Sequence, residues 1–227
     1  MNKFFNEYNL KARAFPALIS ALPILLFKHY VADKYFSLSL LLIISGDVSI
    51  LIVVIYLMIQ VNRFISKMFF EKKSDFYSDQ ALLPSNNFLS NEYKKNIAKK
   101  IHQDFKLYLP TLADEKTDIR NAKLRIREIV QLIVGKIKDG NLLLQHNIEY
   151  GFTRNLIGGS TIALLISMMN VILSKTKFPN EVYFLVSLLS SFLFFGLLIF
   201  HKTILKHYSE EYMHILFREY LQSDKKP

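Results

Sequence analysis

The chain has no cysteine among its 227 residues. That absence excludes disulfides, thiolate metal sites and cysteine nucleophiles. Glycine occurs only seven times, and neither a G-x-x-x-x-G-K-[ST] loop nor a G-x-G-x-x-G turn is present; H-E-x-x-H and G-x-S-x-G are missing too. An ordinary nucleotide-hydrolysing or hydrolase site has nothing to be built from, so the expectation is a protein that is not an enzyme and carries no cofactor or metal. Acidic residues are the scarcer charge, 19 against 29 lysines and arginines, which leaves a net charge of +10.

What the chain has instead is apolar length. Four strongly apolar stretches, residues 14–27, 36–61, 152–173 and 182–200, form two pairs around a charge-rich segment at 62–149. Crossing about 30 Å of hydrocarbon takes roughly 20 helical residues with every backbone group bonded inside the helix. The last three stretches meet that length. The first is shorter and contains Pro16 and Pro23, so its crossing, over about 14–30, needs Lys28 and His29 to snorkel outward. The predicted fold is an all-α membrane protein: four transmembrane helices in two hairpins with a cytoplasmic helical domain between them. The domains are then 1–61, 62–149, 150–202 and a C-terminal amphipathic helix at 203–227.

Lysine and arginine set the orientation. The N-terminal tail carries Lys3, Lys11 and Arg13, residues 62–149 hold sixteen basic side chains, and the C-terminal tail has Lys202, Lys206, Arg218, Lys225 and Lys226. The short connections hold only Lys28 with Lys34, and Lys175 with Lys177. This bias places both termini and the central segment in the cytoplasm. No small-x-small cleavage site follows the first apolar run, so no removable signal peptide is expected.

Within the central segment, helical periodicity continues past residue 61 through Phe64, Ile65, Met68 and Phe69. Pro84-Ser85-Asn86-Asn87 breaks it, and Ser90 is placed to cap a helix with Tyr93, Ile97, Ile101 and Phe105 on one face. A third helix is expected over about 117–138, with Ile119, Ile126, Ile129, Val130, Ile133 and Ile137 aligned and Gly140 as its stop. From Leu142 the pattern runs without a breaker into the third crossing. There is no β-alternation and no tandem repeat. So small a helical domain buries little core alone, which predicts that subunits share it.

Asp47 stands at the twelfth position of the 36–61 stretch. A carboxylate near the bilayer midplane costs at least ~2.5 kcal/mol unless it meets protein or water. With Ser45, Ser49, Tyr56, Ser190 and Ser191 it is the candidate lining of a pore or gate, and a ring of such carboxylates would select cations. The plainer reading is a hydrogen-bonded Asp that holds helices together. Gly158 and Gly159 permit close helix approach but lack dimer-motif spacing.

A second constellation is basic. Lys94, Lys95, Lys99, Lys100 and Lys106, followed by Arg120, Lys123, Arg125 and Arg127, can together neutralise several phosphates, while Tyr93, Phe105 and Tyr108 supply stacking faces. The alternatives are a solvated positive-inside face or a surface for anionic lipid. A third run, at 146–156, holds His146, Glu149, Tyr150 and Arg154 where the third crossing enters the membrane. It is the candidate coupling junction, or else a simple interfacial anchor. His207, Glu211 and His214 share one side of the C-terminal helix; interfacial histidines explain them better than a metal site.

Two stretches, DIRNAKLRIREIV at 118–130 and HNIEYGFTRNLIGG at 146–159, together with the layout of the whole chain, carry a resemblance. The chain resembles the small four-crossing membrane effectors of bacterial anti-phage systems. These include the four-helix effectors of cyclic-oligonucleotide signalling and the membrane effector partnered with a nucleotidyltransferase in the Hailong system. The resemblance implies a homo-oligomeric channel, controlled by a cyclic oligonucleotide or a single-stranded DNA oligomer on its cytoplasmic domain, that depolarises the membrane on infection and arrests growth. In one branch the ligand opens the channel and in the other it restrains it. No single residue carries over, because no ligand motif aligns.

One protomer has too few helices to surround water, so a conducting form requires a closed oligomer, most simply a tetramer. The competing expectation is a non-conducting, membrane-anchored scaffold for a cytoplasmic protein partner.

Overall fold

The structure is a computed structural model. It describes residues 7–34, 40–70, 78–137 and 141–223, with side chains described throughout these ranges except at 34, 40–47, 78, 79 and 141. Among the described residues every regular element is helical. Four of the helices are long and apolar enough to cross a membrane. The chain divides into two compact units, Met1–Lys72 with Ile148–Leu205, and Lys73–Asn147 with Lys206–Pro227.

The first unit holds the candidate spans. Helix α1 runs over Glu7–Tyr30, 24 residues, and so begins seven residues before the apolar run. The Lys11–Glu7 pair at 2.7 Å supports that extra turn. Pro16 lies inside this helix, just after a π turn at Leu10–Ala14; its missing N–H leaves the Ala12 carbonyl, four residues back, without its helical donor, and Asn155 donates there at 2.6 Å. Helix α2, Leu40–Ile65, continues into a π turn at Ser66–Phe70. The helix therefore passes the 61/62 boundary that hydropathy alone suggests.

The second unit begins with the one-turn helix α3, Ser78–Ala81. Helix α4, Asn91–Phe105, starts where Ser90 Oγ accepts from the Tyr93 amide at 3.2 Å. It ends at Lys106, whose φ of 57° is a left-handed cap, so the helix stops ahead of Pro110. Thr111 and Asp114 form a capping box for the short α5, Leu112–Thr117. Asp118 then caps α6, Ile119–Lys136, and the predicted start at 117 shifts by two residues because these caps are local hydrogen bonds. Gly140, the expected stop, lies outside the described residues.

Helix α7, Asn141–Thr176, is 36 residues long. At 1.5 Å per residue it extends about 54 Å, well beyond the ~30 Å of hydrocarbon. Its apolar part leads, through Asn180 as N-cap, to α8, Glu181–Ile199. Helix α9, His201–Gln222, closes the chain.

The core of the second unit joins Ile97 and Ile101 of α4, Ile126, Ile129 and Ile133 of α6, and Met213, Leu216, Phe217 and Tyr220 of α9. The C-terminal helix is a wall of this unit, contributing Met213, Leu216, Phe217 and Tyr220 to its core. Ile119, expected on the inner face, is exposed in the first turn of α6.

Candidate functional site

The fold sorts the five lysines of the first basic cluster by helical phase. Lys94 and Lys100 are turned inward, 8% and 7% exposed, on the face that carries Ile97 and Ile101. Lys95 and Lys99 face outward and continue through His102 to Lys106. The Lys94 ammonium is spent on the unit's own backbone, donating to the Leu83 carbonyl at 2.7 Å and to the Asn86 carbonyl. Glu115, also buried, accepts from the Ser85 amide at 3.0 Å and from the Ser85 hydroxyl. Together they clamp the Pro84-Asn87 break from both sides. Burial pulls the Lys94 ammonium below its ordinary value, and the Glu115 charge opposes that shift.

Lys100 lies over the Tyr220 ring, 5.3 Å from its centroid. Tyr220 in turn donates to Asp104 at 2.8 Å, and Lys136 pairs with the same carboxylate at 2.6 Å. Asp104 thus links α4, α6 and α9. Burial raises its carboxyl, but the hydrogen bonds from Lys136 and Tyr220 and the charges of Lys136 and Lys100 outweigh burial and hold it below the ordinary value.

The outward stripe ends in an aromatic platform. Tyr108 is 67% exposed, and its ring stacks on His102 at 4.4 Å with 25° between planes. Arg125 reaches the Tyr108 carbonyl at 3.4 Å and Asp114 at 3.6 Å. Of the second basic cluster, then, Arg125 is brought to the stripe; Arg120 is exposed on the first turn of α6, and Lys123 and Arg127 are half-buried. Tyr93 and Phe105 pack against the core, leaving Tyr108 as the outward-facing ring of the three.

The junction residues separate. His146 is buried, its Nε2 donating to the Tyr208 carbonyl at 2.8 Å, between the rings of Tyr208 and Tyr212. Glu149 is exposed, while Arg154 lies over Tyr150 at 5.6 Å. The helix runs through Gly151, where an added Cβ would stand 3.0 Å from Ala12. His207 lies 4.0 Å from Glu211, whereas His214 packs on Phe88 at 4.5 Å. No group of three metal-ligating side chains is gathered among the described residues.

For the pore candidates, the side chains of Asp47 and Ser45 lie outside the described residues. Ser49 and Tyr56 share the outward face of α2. Ser190 is half-buried, and Ser191 donates to its own helix at Ser187 O, 2.9 Å.

Sequence reasoning missed the polar bridges that join the candidate spans. Asn62 donates to Ser20 Oγ at 2.8 Å, Asn155 to Ala12 O at 2.6 Å, and Asn170 to Pro23 O at 2.8 Å while accepting from Tyr183 at 2.9 Å. An asparagine inside an apolar stretch, Asn170 above all, was the available signal. Comparison with protein-family models, curated proteins and solved structures finds no match.

Proposed function

We propose that this chain is an ion-permeable, homo-oligomeric effector of the bacterial inner membrane, controlled by a nucleotide or oligonucleotide on its cytoplasmic helical unit. The observation that carries this reading is the sorting on α4. Lys95, Lys99 and Lys106 face outward in line with the exposed Tyr108 ring, beside Arg125. Spaced cations with a stacking face suit a phosphate chain whose bases can lie on an aromatic ring.

Helix α7 supports the coupling. Its first turns belong to the helical unit and its later turns to a candidate span, without interruption. A ligand that binds the two channel states unequally then shifts their populations. Anti-phage defence, with depolarisation and growth arrest, is the setting that the overall layout resembles, and a nucleotidyltransferase is the kind of enzyme that would supply the ligand. Both hairpins would have their open ends in the cytoplasm, and four protomers would enclose the path.

Planar-bilayer recording of the purified protein tests this reading, with short single-stranded DNA or cyclic oligonucleotides added to the cytoplasmic side. Discrete currents that one of these ligands raises or suppresses are expected. Silent bilayers containing inserted protein would leave the scaffold reading in its place.

A further inference from the structure

In sequence, Arg63 follows the second apolar run and belongs with the cytoplasmic charges. The tertiary contacts place it elsewhere. Its neighbour Asn62 donates to Ser20, the fourteenth of the 24 residues of Glu7–Tyr30. The same residue lies against Gly158 and Gly159 of α7. Ser20 and Gly158 are each the seventh residue of their apolar stretches, 14–27 and 152–173, so Arg63 stands about one and a half helical turns, or ~9 Å, inside the apolar part of both.

Arg63 is also exposed. Val54, Ile55, Met58 and Ile59 on α2 pack with Ala17 and Ala21 of α1, and the opposite face of α2 presents Ser49, Tyr56, Gln60, Arg63 and Lys67. Those five positions follow one another at intervals of seven, four, three and four residues, which is one helical stripe. The Arg63 side chain has no hydrogen-bond or ion-pair partner among the described residues. α2 also carries the least buried of the four candidate spans. Gln60 and the Tyr56 hydroxyl lie deeper still on the same face, and a guanidinium, an amide and a hydroxyl turned to lipid each carry a cost unless protein or water meets them.

We infer that this stripe faces further copies of the chain across a water-filled axis, and that the path it lines passes anions. A second copy is the fitting occupant because Gln60 and Tyr56 each donate and accept, so a symmetry axis pairs each with its own counterpart. Arg63 and Lys67 are the charges on the stripe, and rings of arginine or lysine favour anions. This inference rests on the proposed channel and reverses the cation preference that Asp47 alone would give.

Two measurements separate its failure from that of the channel itself. The chain has no cysteine, so single variants Tyr56→Cys and Gln60→Cys, with Val54→Cys and Met58→Cys as packed controls, can be exposed to membrane-impermeant anionic and cationic thiol reagents in vesicles. Positions 56 and 60 are expected to react at least tenfold faster than 54 and 58, and faster with the anionic reagent. In bilayers under a potassium chloride gradient, the reversal potential is expected near that of chloride, to collapse towards zero in Arg63→Gln and to be retained in Arg63→Lys. Cation-selective currents, a selectivity unmoved by Arg63→Gln, or a stripe as unreactive as the controls would overturn the anion path. Silent bilayers with a reactive stripe would instead overturn conduction and leave the wet, self-facing stripe standing.

Discussion

Asn62 of α2 lies on Gly159 of α7: a Cβ at that glycine would stand 2.5 Å from the Asn62 side-chain oxygen and 2.6 Å from its Cγ. At the preceding glycine, a Cβ would stand 2.9 Å from both Ser66 N and Ser66 Cβ. At Gly158 the obstacles include the backbone of Asn62 and Ser66, and at Gly159 the obstacle is the Asn62 amide, which is held by its bond to Ser20. Gly158→Ala and Gly159→Ala should each lower stability by about 1–3 kcal/mol, the usual cost of overpacking. Gly135, which has nothing within 4 Å of a built Cβ, is the control. Gly135→Ala should raise stability by about 0.5–1 kcal/mol through lower unfolded-state entropy. Thermal unfolding in one detergent compares all three, and a Gly159→Ala protein as stable as Gly135→Ala would refute the contact.

Asp104 gives the helical unit an acid limit. Its carboxyl is held below the ordinary value in the folded chain, so its contribution to stability is fully present above the unfolded carboxylate range and is lost as pH falls through the lower, folded value. Asp104→Asn should cost about 1–3 kcal/mol at neutral pH and flatten the acid limb of stability against pH. Tyr220→Phe, which removes one of the hydrogen bonds, should cost about 1 kcal/mol. Denaturant unfolding between neutral pH and about pH 3 reads both effects, and an unchanged acid limb in Asp104→Asn would assign it to other carboxylates.

The two kinds of lysine on α4 should separate in one pair of assays. Lys94→Met keeps the buried stem but leaves the Leu83 and Asn86 carbonyls without their donor. It should cost about 1–3 kcal/mol of stability with oligonucleotide affinity unchanged. Replacing Lys95, Lys99 and Lys106 together by Ala should leave stability within about 0.5 kcal/mol. It should also reduce the salt slope of single-stranded DNA binding by about 2, at ~0.7 per phosphate contact. If Lys94→Met weakens binding as much as the triple variant does, the inward assignment is wrong.

The Pro23–Asn170–Tyr183 node should matter by chain position. Tyr183→Phe removes one interhelical hydrogen bond and should cost about 0.6 kcal/mol, the average for such bonds in membranes. Asn170→Leu removes two and buries a larger apolar group beside Pro23, so the loss should be at least twofold greater. Unfolding of the two variants in mixed micelles would show the order, and equal losses would mean that Asn170 and Tyr183 are held by packing alone.

Hydropathy, periodicity and caps were enough to give an all-helical chain, four apolar helices, the start of α4 at Ser90 and the unbroken run of α7, because each depends on neighbours within one or two turns. The same local signals placed Lys94 among the surface lysines, left the C-terminal helix outside the core and put Arg63 beyond the apolar run. Only tertiary structure reversed those placements. Helical phase says which residues share a face but not which face meets a partner helix. Depth along α2 is set by Asn62 meeting Ser20, 42 positions away in sequence, and two glycines that are more distant still. No local pattern encodes a contact at that separation; it is decided when backbones pack closely enough for one asparagine to fill the space that two missing Cβ atoms leave.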